Sequence, residues 1–347
     1  MSAAGHRIEA RAPGRVNLIG DHTDYTGGLA LPLAIDRQIV IEGIDRDEPL
    51  LTLASDQDPV PASIPLPAVG VAEVDPPWAR RAAAIAAELG REQGFSGTIE
   101  STVPIGAGLS SSGALGVALA LALGAAVGHS RLEVALLCQR AQRAATGVPA
   151  GILDEMASLH GLDGHAVLLD CHDLTVEPVA IPDGAEIVVK YISHRTVAGS
   201  PYSQRVAACR AAEEVIGPLR LAAIDDLSAI ADPVLLARAR HVVTENLRVR
   251  QCVDALRTGD LETVGRLMTA SHVSLRDDYA VSTPDLDSAV DILVSTPGVH
   301  GARLTGAGFG GCVIALAEPG TVKDGWVVRA VDGAEVVTSG SNYYPAP

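Results

Sequence analysis

VPIGAGLSSSGALG, residues 103–116, decides how this chain is built. Just before it, GTIESTV (97–103) alternates as a strand does, and the Ala/Leu-rich run from Ala114 onward reads as a buried helix. The stretch is therefore a strand, a glycine loop and a helix N-terminus. Unpaired N–H groups and the positive end of the helix dipole lie at such a junction, and glycines let a backbone approach a ligand closely. An anion such as a di- or triphosphate suits it. The P-loop pattern fails because no lysine follows. The dinucleotide pattern fails because Ser111 stands where its third glycine belongs, and the nucleophile-elbow pattern fails as well. A helix start capped by serine accounts for the same residues with no ligand at all.

Working outward, RVNLIGDHTDY (15–25) begins with a short apolar strand at Val16–Ile19 and opens into a loop dense with ionisable groups: Asp21, His22, Asp24 and Tyr25 beside Arg15. Such a set suits a hydroxyl-rich ligand, since each sugar hydroxyl both gives and accepts hydrogen bonds; a solvated turn or a partial metal site uses the same residue types. Arg37–Gly43 reads as a strand and the Pro-rich stretch 55–77 as an irregular surface connection. Helical periodicity covers Arg80–Leu89 and Leu132–Ala145. GVPAGILDEMASLHG (147–161) places Asp154 and Glu155 just inside a helix start, where a carboxylate either complements the dipole or stands ready to take a proton. His165–Cys171 and Glu186–Ile192 read as strands, followed by helices at Ser203–Val215, Pro233–Leu256, Leu261–Arg276 and Leu286–Val294.

LTGAGFGGCVIAL (304–316) contains GxGxxG through Gly306, Gly308 and Gly311. A strand follows the glycines where a dinucleotide site needs a helix, so the turn is read as one packed closely against another backbone or a ligand. Strands and helices mix without strict βαβ alternation, which gives an α+β class. With 347 residues, two domains are expected, 1–178 and 179–347.

The formal net charge is -16 and the basic residues are scattered, which argues against nucleic acid or an anionic membrane as partner. Only two lysines, Lys190 and Lys323, occur among 26 basic residues, so a phosphate site here must lean on backbone N–H groups and arginine. Five cysteines without CxxC spacing read as reduced thiols. The apolar run Leu115–Val127 falls short of the ~20 residues a membrane span requires. A cytoplasmic protein is expected, with a monomer a plausible state.

Taken in order, GRVNLIGDHTDYTGG, PIGAGLSSSGAL and LTGAGFGG resemble the GHMP family of small-molecule kinases, and the first resembles its galactose-phosphorylating branch. GVPAGILDEMASLHG with the strand HAVLLDC, and SHRTVAGSPYSQRVAACRAA (193–212), extend the likeness from about residue 8 to 317. The resemblance implies a two-domain GHMP-kinase-like fold with the active site in the cleft between domains. It also implies transfer of phosphate from ATP, with Mg2+, to the anomeric hydroxyl of a sugar. Gly106, Ala107, Gly108, Leu109, Ser110, Ser111 and Ser112 would wrap the phosphates, with Ser112 touching magnesium. Asp154 would be the base and Arg15 would steady the developing charge. Asp21, His22, Asp24, Gly151 and Tyr202 would hold the sugar.

Two positions depart from the family pattern. Asp21 stands where a glutamate usually reaches toward C6 of the hexose, and Gln142 stands where a magnesium-ligating glutamate is usual. The first admits a sister sugar 1-kinase acting on arabinose, galacturonate or another C6 variant. The second admits a catalytically weak sugar- and ATP-binding regulator, against which the presence of Arg15, Asp154 and Ser112 argues.

Overall fold

The computed structural model describes residues 7–148, 151–194, 201–338, 341–343 and 345. Pro149 and Ala150, and residues 195–200 of the segment SHRTVAGSPYSQRVAACRAA, lie outside them. The strands are β1 (Arg7–Asn17), β2 (Leu29–Ala30), β3 (Pro32–Arg46), β4 (Leu50–Ser55), β5 (Asp58–Pro65), β6 (Gly94–Ser101), β7 (His165–Asp170), β8 (Thr175–Ala180), β9 (Glu186–Ser193), β10 (Val299–Leu304), β11 (Gly311–Ala317), β12 (Trp326–Val328), β13 (Glu335–Thr338) and β14 (Ser341–Tyr343). The helices are α1 (Arg80–Glu88), α2 (Ser111–Ala122), α3 (Arg131–Thr146), α4 (Leu153–His160), α5 (Tyr202–Ile216), α6 (Pro233–Thr258), α7 (Leu261–Asp277) and α8 (Pro284–Val294).

Seven strands form the first sheet in the order β14-β13-β1-β3-β6-β4-β5, with β4 and β6 its only parallel neighbours. Helix α2 packs across β1 and β3, with α1, α3 and α4 around it. Its sequence, SSGALGVALALA, is buried over most of its length, as expected of a helix apolar on every side. The second sheet runs β10-β11-β9-β12, all antiparallel, with α7 and α8 packed on β10. A third, small sheet joins β2, β7 and β8.

Strand β11 shows how the two halves share one interior. All seven of its residues are buried. Because side chains alternate across a strand, Cys312, Ile314 and Leu316 enter the core that contains the first sheet, while Val313 and Ala315 enter a second core built from α5–α8. An uninterrupted apolar run is what a strand covered on both faces requires.

The fold is α+β in two units, as expected, with several local differences. The strand expected at Val16–Ile19 begins at Arg7 and ends at Asn17. Part of the stretch read as irregular, 55–77, is the hairpin partner β5. The expected division after residue 178 lies within the bounds of β8, ahead of the turn 181–185 that leads to β9. The chain's end returns to its beginning: β13 pairs with β1 from Ile8↔Thr338 to Arg11↔Glu335. None of the described helices is long and apolar enough to cross a membrane, and all five cysteines are buried and outside any disulfide.

Candidate active site

The glycine loop reaches its shape through left-handed backbone at Gly106 (φ 73°) and Gly108 (φ 83°), a region closed to most side chains. That turn aims two carbonyls at Arg15 on β1. Arg15 Nη1 donates to Gly108 O at 2.7 Å, and its backbone N–H donates to Leu109 O at 3.1 Å. The other arm of the guanidinium, Nη2, meets Asp154 Oδ1 at 2.5 Å. Arg15 is 4% exposed whereas the Asp154 side chain keeps 36% exposure, so the pair has a buried cation and an open carboxylate.

This pair lines a hollow of ≈340 Å³ between the two units. Gly106, Gly108 and Ser110–Ser112 line it from the phosphate-loop side, and Gln142 on α3, Asp154 and Glu155 on α4 and Gly151 just before α4 from behind. Asp21, His22, Asp24 and Tyr25 come from the loop after β1, and Tyr202, Gly306 and Ala307 from the second unit. Of the residues expected at the site, Ala107 and Leu109 alone are absent from its wall. Both are apolar and almost wholly buried, so their side chains belong to the core, and only the backbone of the loop at these two positions remains available.

Asp24 and Gly151 are placed together. A Cβ on residue 151 would lie 1.4 Å from Asp24 Oδ2, so glycine there is what gives the carboxylate its room. Burial pushes the Asp24 carboxyl up to about 7, with the charge of Asp154 adding to the effect. Glu155 is likewise pushed up to about 7 by burial and then by Asp154, while Arg81 opposes the shift.

Asp21 is more committed than its sequence position suggests. Its Oδ2 pairs with Arg303 Nη2 at 2.6 Å and its Oδ1 accepts the Gly306 N–H at 3.1 Å. The carboxylate thereby ties the first loop to the third glycine motif across 285 positions of sequence. Burial raises its pKa against the pull of Arg303 and Arg15. Nearby, Glu245 on α6 accepts from the Gly20 N–H at 2.9 Å and from Ser271 Oγ at 2.5 Å, and pairs with Arg248 at 2.7 Å. The charges of Arg248, His241 and Arg303, with the Ser271 hydrogen bond, hold its pKa at about 2 despite complete burial. His241 Nε2 donates to Asp21 O at 3.1 Å. The loop 20–24 is thus fixed from α6, α7 and β10 at once.

His22 adopts φ 65°, uncommon for a side chain of its size. Its Nε2 donates to Ala307 O at 3.2 Å and its Nδ1 pairs with the Tyr25 hydroxyl at 2.9 Å. Tyr25 continues to Tyr279 at 2.5 Å, and Tyr202 packs edge-on against Tyr25. The third motif packs as expected: a Cβ on Gly308 would lie 2.4 Å from Val281 O, and one on Gly311 would lie 3.0 Å from Ala107 O.

A second hollow, ≈310 Å³, adjoins the first. Ile39, Trp78, Ile99 and Leu115 give it apolar walls, and Ser111, Ser112 and Thr146 line both hollows. Sequence reasoning missed this hollow, along with Arg81, Arg303 and Glu245. Trp78 follows two prolines in a stretch read as surface, and the others carry no local pattern that separates them from scattered charge.

Among the described residues, no cluster of three or more His, Cys, Asp or Glu side chains is arranged to hold a metal ion. The oxygens that line the hollow, Ser112 from the phosphate loop and Gln142 and Asp154 from α3 and α4, are hard donors. They fit a magnesium ion carried in by a phosphate ligand and completed by one or two protein oxygens, rather than a resident ion.

Residues 2–43 match the galactokinase galactose-binding signature, 78–162 the GHMP kinases N terminal domain and 252–326 the GHMP kinases C terminal domain. The chain is 40% identical to a galactokinase of Chloroflexus aurantiacus, covering 95% of this chain and 88% of that one. It is 43% identical to a galactokinase of Mycobacterium tuberculosis, covering 90% of each. The crystal structure of Lactococcus lactis galactokinase complexed with galactose superposes with a TM-score of 0.90 at 31% identity, over 94% of both chains.

Proposed function

The chain belongs to the galactokinase family of GHMP kinases, and from that premise we propose that it transfers the γ-phosphoryl group of ATP to the anomeric hydroxyl of galactose at the hollow lined by Arg15 and Asp154. The observation that carries this placement is the Arg15–Asp154 pair, set between an anion-binding loop on one side and the Asp21–His22–Asp24 cluster on the other.

The purine would occupy the apolar hollow beside Trp78, and the phosphates would pass over Ser111 and Ser112 into the polar hollow. Asp24, His22 and Tyr202 would take the sugar hydroxyls, with Gly151 keeping Asp24 in place. Asp21 offers the sugar only the lone pairs left over from Arg303 and Gly306, so its shorter reach is coupled to loop anchoring. The attacking hydroxyl would meet the open face of Asp154, which accepts its proton. Arg15 would counter the charge gathering on the reacting oxygen and the transferred group. Phosphoryl transfer through a loose transition state depends mainly on such positioning and charge stabilisation. Magnesium, when bound with the nucleotide, would neutralise phosphate charge. Ser112 and Gln142 would face it, and a neutral amide leaves more of the coordination to water and the phosphates.

Asp154→Ala tests the assignment. It is expected to lower kcat by about 10²–10⁴, the usual range for a general acid or base, while galactose affinity stays near that of the parent in the folded fraction. Near-parental turnover would remove Asp154 from the reaction. A panel of galactose, arabinose, galacturonate and glucose, with the phosphorylated carbon located by NMR, tests the sugar.

A further inference from the structure

Beneath the serines of the phosphate loop lies a pair of buried opposite charges that the reaction so far leaves without a task. Arg81 on α1 is 5% exposed and Glu155 on α4 is 1% exposed. Arg81 Nη2 donates to Ser112 Oγ at 2.5 Å. Its Nη1 is buried without a hydrogen-bond partner and sits over Gly116 of α2, where an added Cβ would lie 3.0 Å away. Glu155 Oε1 is also buried without a partner. The two residues do not close a direct ion pair, although each lies within the other's electrostatic reach. Burying a guanidinium this deeply is unfavourable unless its charge is used or matched.

Its position indicates the use. Arg81 lines the apolar hollow at the point where Ser111 and Ser112 pass from that hollow into the polar one. A ligand with its base beside Trp78 and its transferable group over Arg15 must run its connecting atoms across those serines, and in a nucleoside triphosphate those atoms are phosphates. We propose that Arg81 is the cation of the phosphate site, taking from below the part that a lysine plays behind a P-loop, with Glu155 as the positioning counter-charge that keeps the guanidinium under Ser112. Donation from Arg81 occupies the Ser112 oxygen as an acceptor, which leaves the hydroxyl hydrogen free to point at a phosphate oxygen. This inference rests on the reading of the chain as an ATP-dependent kinase.

Removing one member of a buried charge pair strands the other and can prevent folding, whereas replacing both by neutral side chains of similar volume is often neutral or stabilising. The decisive variant is therefore the double substitution Arg81→Met/Glu155→Gln, compared with the parent by calorimetric titration of ADP, adenosine and galactose on the full chain. ADP affinity is expected to fall by about 30-fold or more, as for loss of a charge-assisted contact, while adenosine and galactose bind within twofold of the parent. Arg81→Lys, which keeps the charge without the fork, should fall between. If the double variant binds ADP as the parent does, or loses adenosine in the same proportion as ADP, the pair serves packing alone and the proposal fails. A parent chain that binds galactose and no ADP would instead overturn the kinase reading beneath it.

Discussion

The contact between Gly151 and Asp24 is the sharpest test at the scale of a single residue. A methyl group at 151 cannot coexist with Oδ2 where it stands, so Gly151→Ala must swing the carboxylate away. A misplacement of about 1 Å can cost on the order of 10²-fold in a positioned site. Galactose affinity should drop by about that factor while ADP affinity holds, and calorimetry with both ligands checks it; equal losses would point to a collapsed loop. Asp24 also makes a prediction about pH. Its carboxyl is raised to about 7 by burial, and sugar hydroxyls donating to the ionised form would lower it again. Galactose should therefore bind more tightly as pH rises from about 6 to 8, with a proton released on binding. Titrations at pH 7 in buffers of different ionisation enthalpy would show this as a buffer-dependent heat that Asp24→Asn abolishes; a buffer-independent heat in the parent contradicts it. The polar residues expected at this site were legible because they cluster in short segments: Arg15 to Asp24, Ser110 to Ser112, and the stretches that hold Asp154 and Tyr202. What was not legible is where their second partners come from: Arg303 and Glu245 lie more than 200 positions from the loop they hold, and nothing local marks them. The scarcity of lysine did point to arginine for phosphate, although it did not say which one.

Elements were read best where their pattern is local. The helices α5 to α8 emerge with ends within two residues of those expected, because a long amphipathic period is a strong signal. Among the strands missed, β5 and β8 contain Pro59, Pro61, Pro65 and Pro178 and sit at sheet edges. Proline is tolerated at an edge, where a missing N–H faces solvent, so a Pro-rich sequence reads as loop in either case. Helix α7 shows how one element carries the site without touching it. Gly265 lies against β10 so closely that a Cβ would stand 2.1 Å from His300 O, and Gly301 makes the reciprocal approach to Gly265 O. The same helix presents Ser271 to Glu245, which anchors Gly20. Gly265→Ala should push α7 outward and destabilise the chain by about 1–3 kcal/mol, as overpacking does. It should also weaken galactose binding through the loosened loop. A urea midpoint and a galactose affinity both equal to the parent's would show that the sheet gives way at no cost.

At the scale of the whole molecule, the site depends on a closure that no motif announces. Every residue placed around the two hollows precedes Gly308, yet the first sheet is completed by β13 and β14. The final residues lie beyond the resemblance, which runs to about residue 317. In the structure they add an edge. Ala334 and Val336 are buried in the first core, the Ala334 N–H donates to Ser158 O at 2.8 Å, and Ser158 Oγ in turn donates to Pro13 O at 2.7 Å. The tail thereby ties the end of α4, which bears Asp154, to β1, which bears Arg15. Deleting residues 333–347 removes two core side chains and uncovers β1 from Ile8 to Arg11 as an unpaired edge, a template for association with other chains. The shortened chain should melt several degrees lower, since about 1 kcal/mol shifts the midpoint of a large domain by roughly 2–4 °C, and it should aggregate on concentration. Molecules that remain folded keep every ligand-contacting residue. Calorimetric titration on the monomeric fraction should therefore return galactose and ADP affinities near the parent's, with a lower active fraction. Unchanged melting and solubility would mean the first sheet is complete without β13 and β14. Parental stability with lost affinity would mean the tail acts on the Arg15–Asp154 geometry directly, through Ser158.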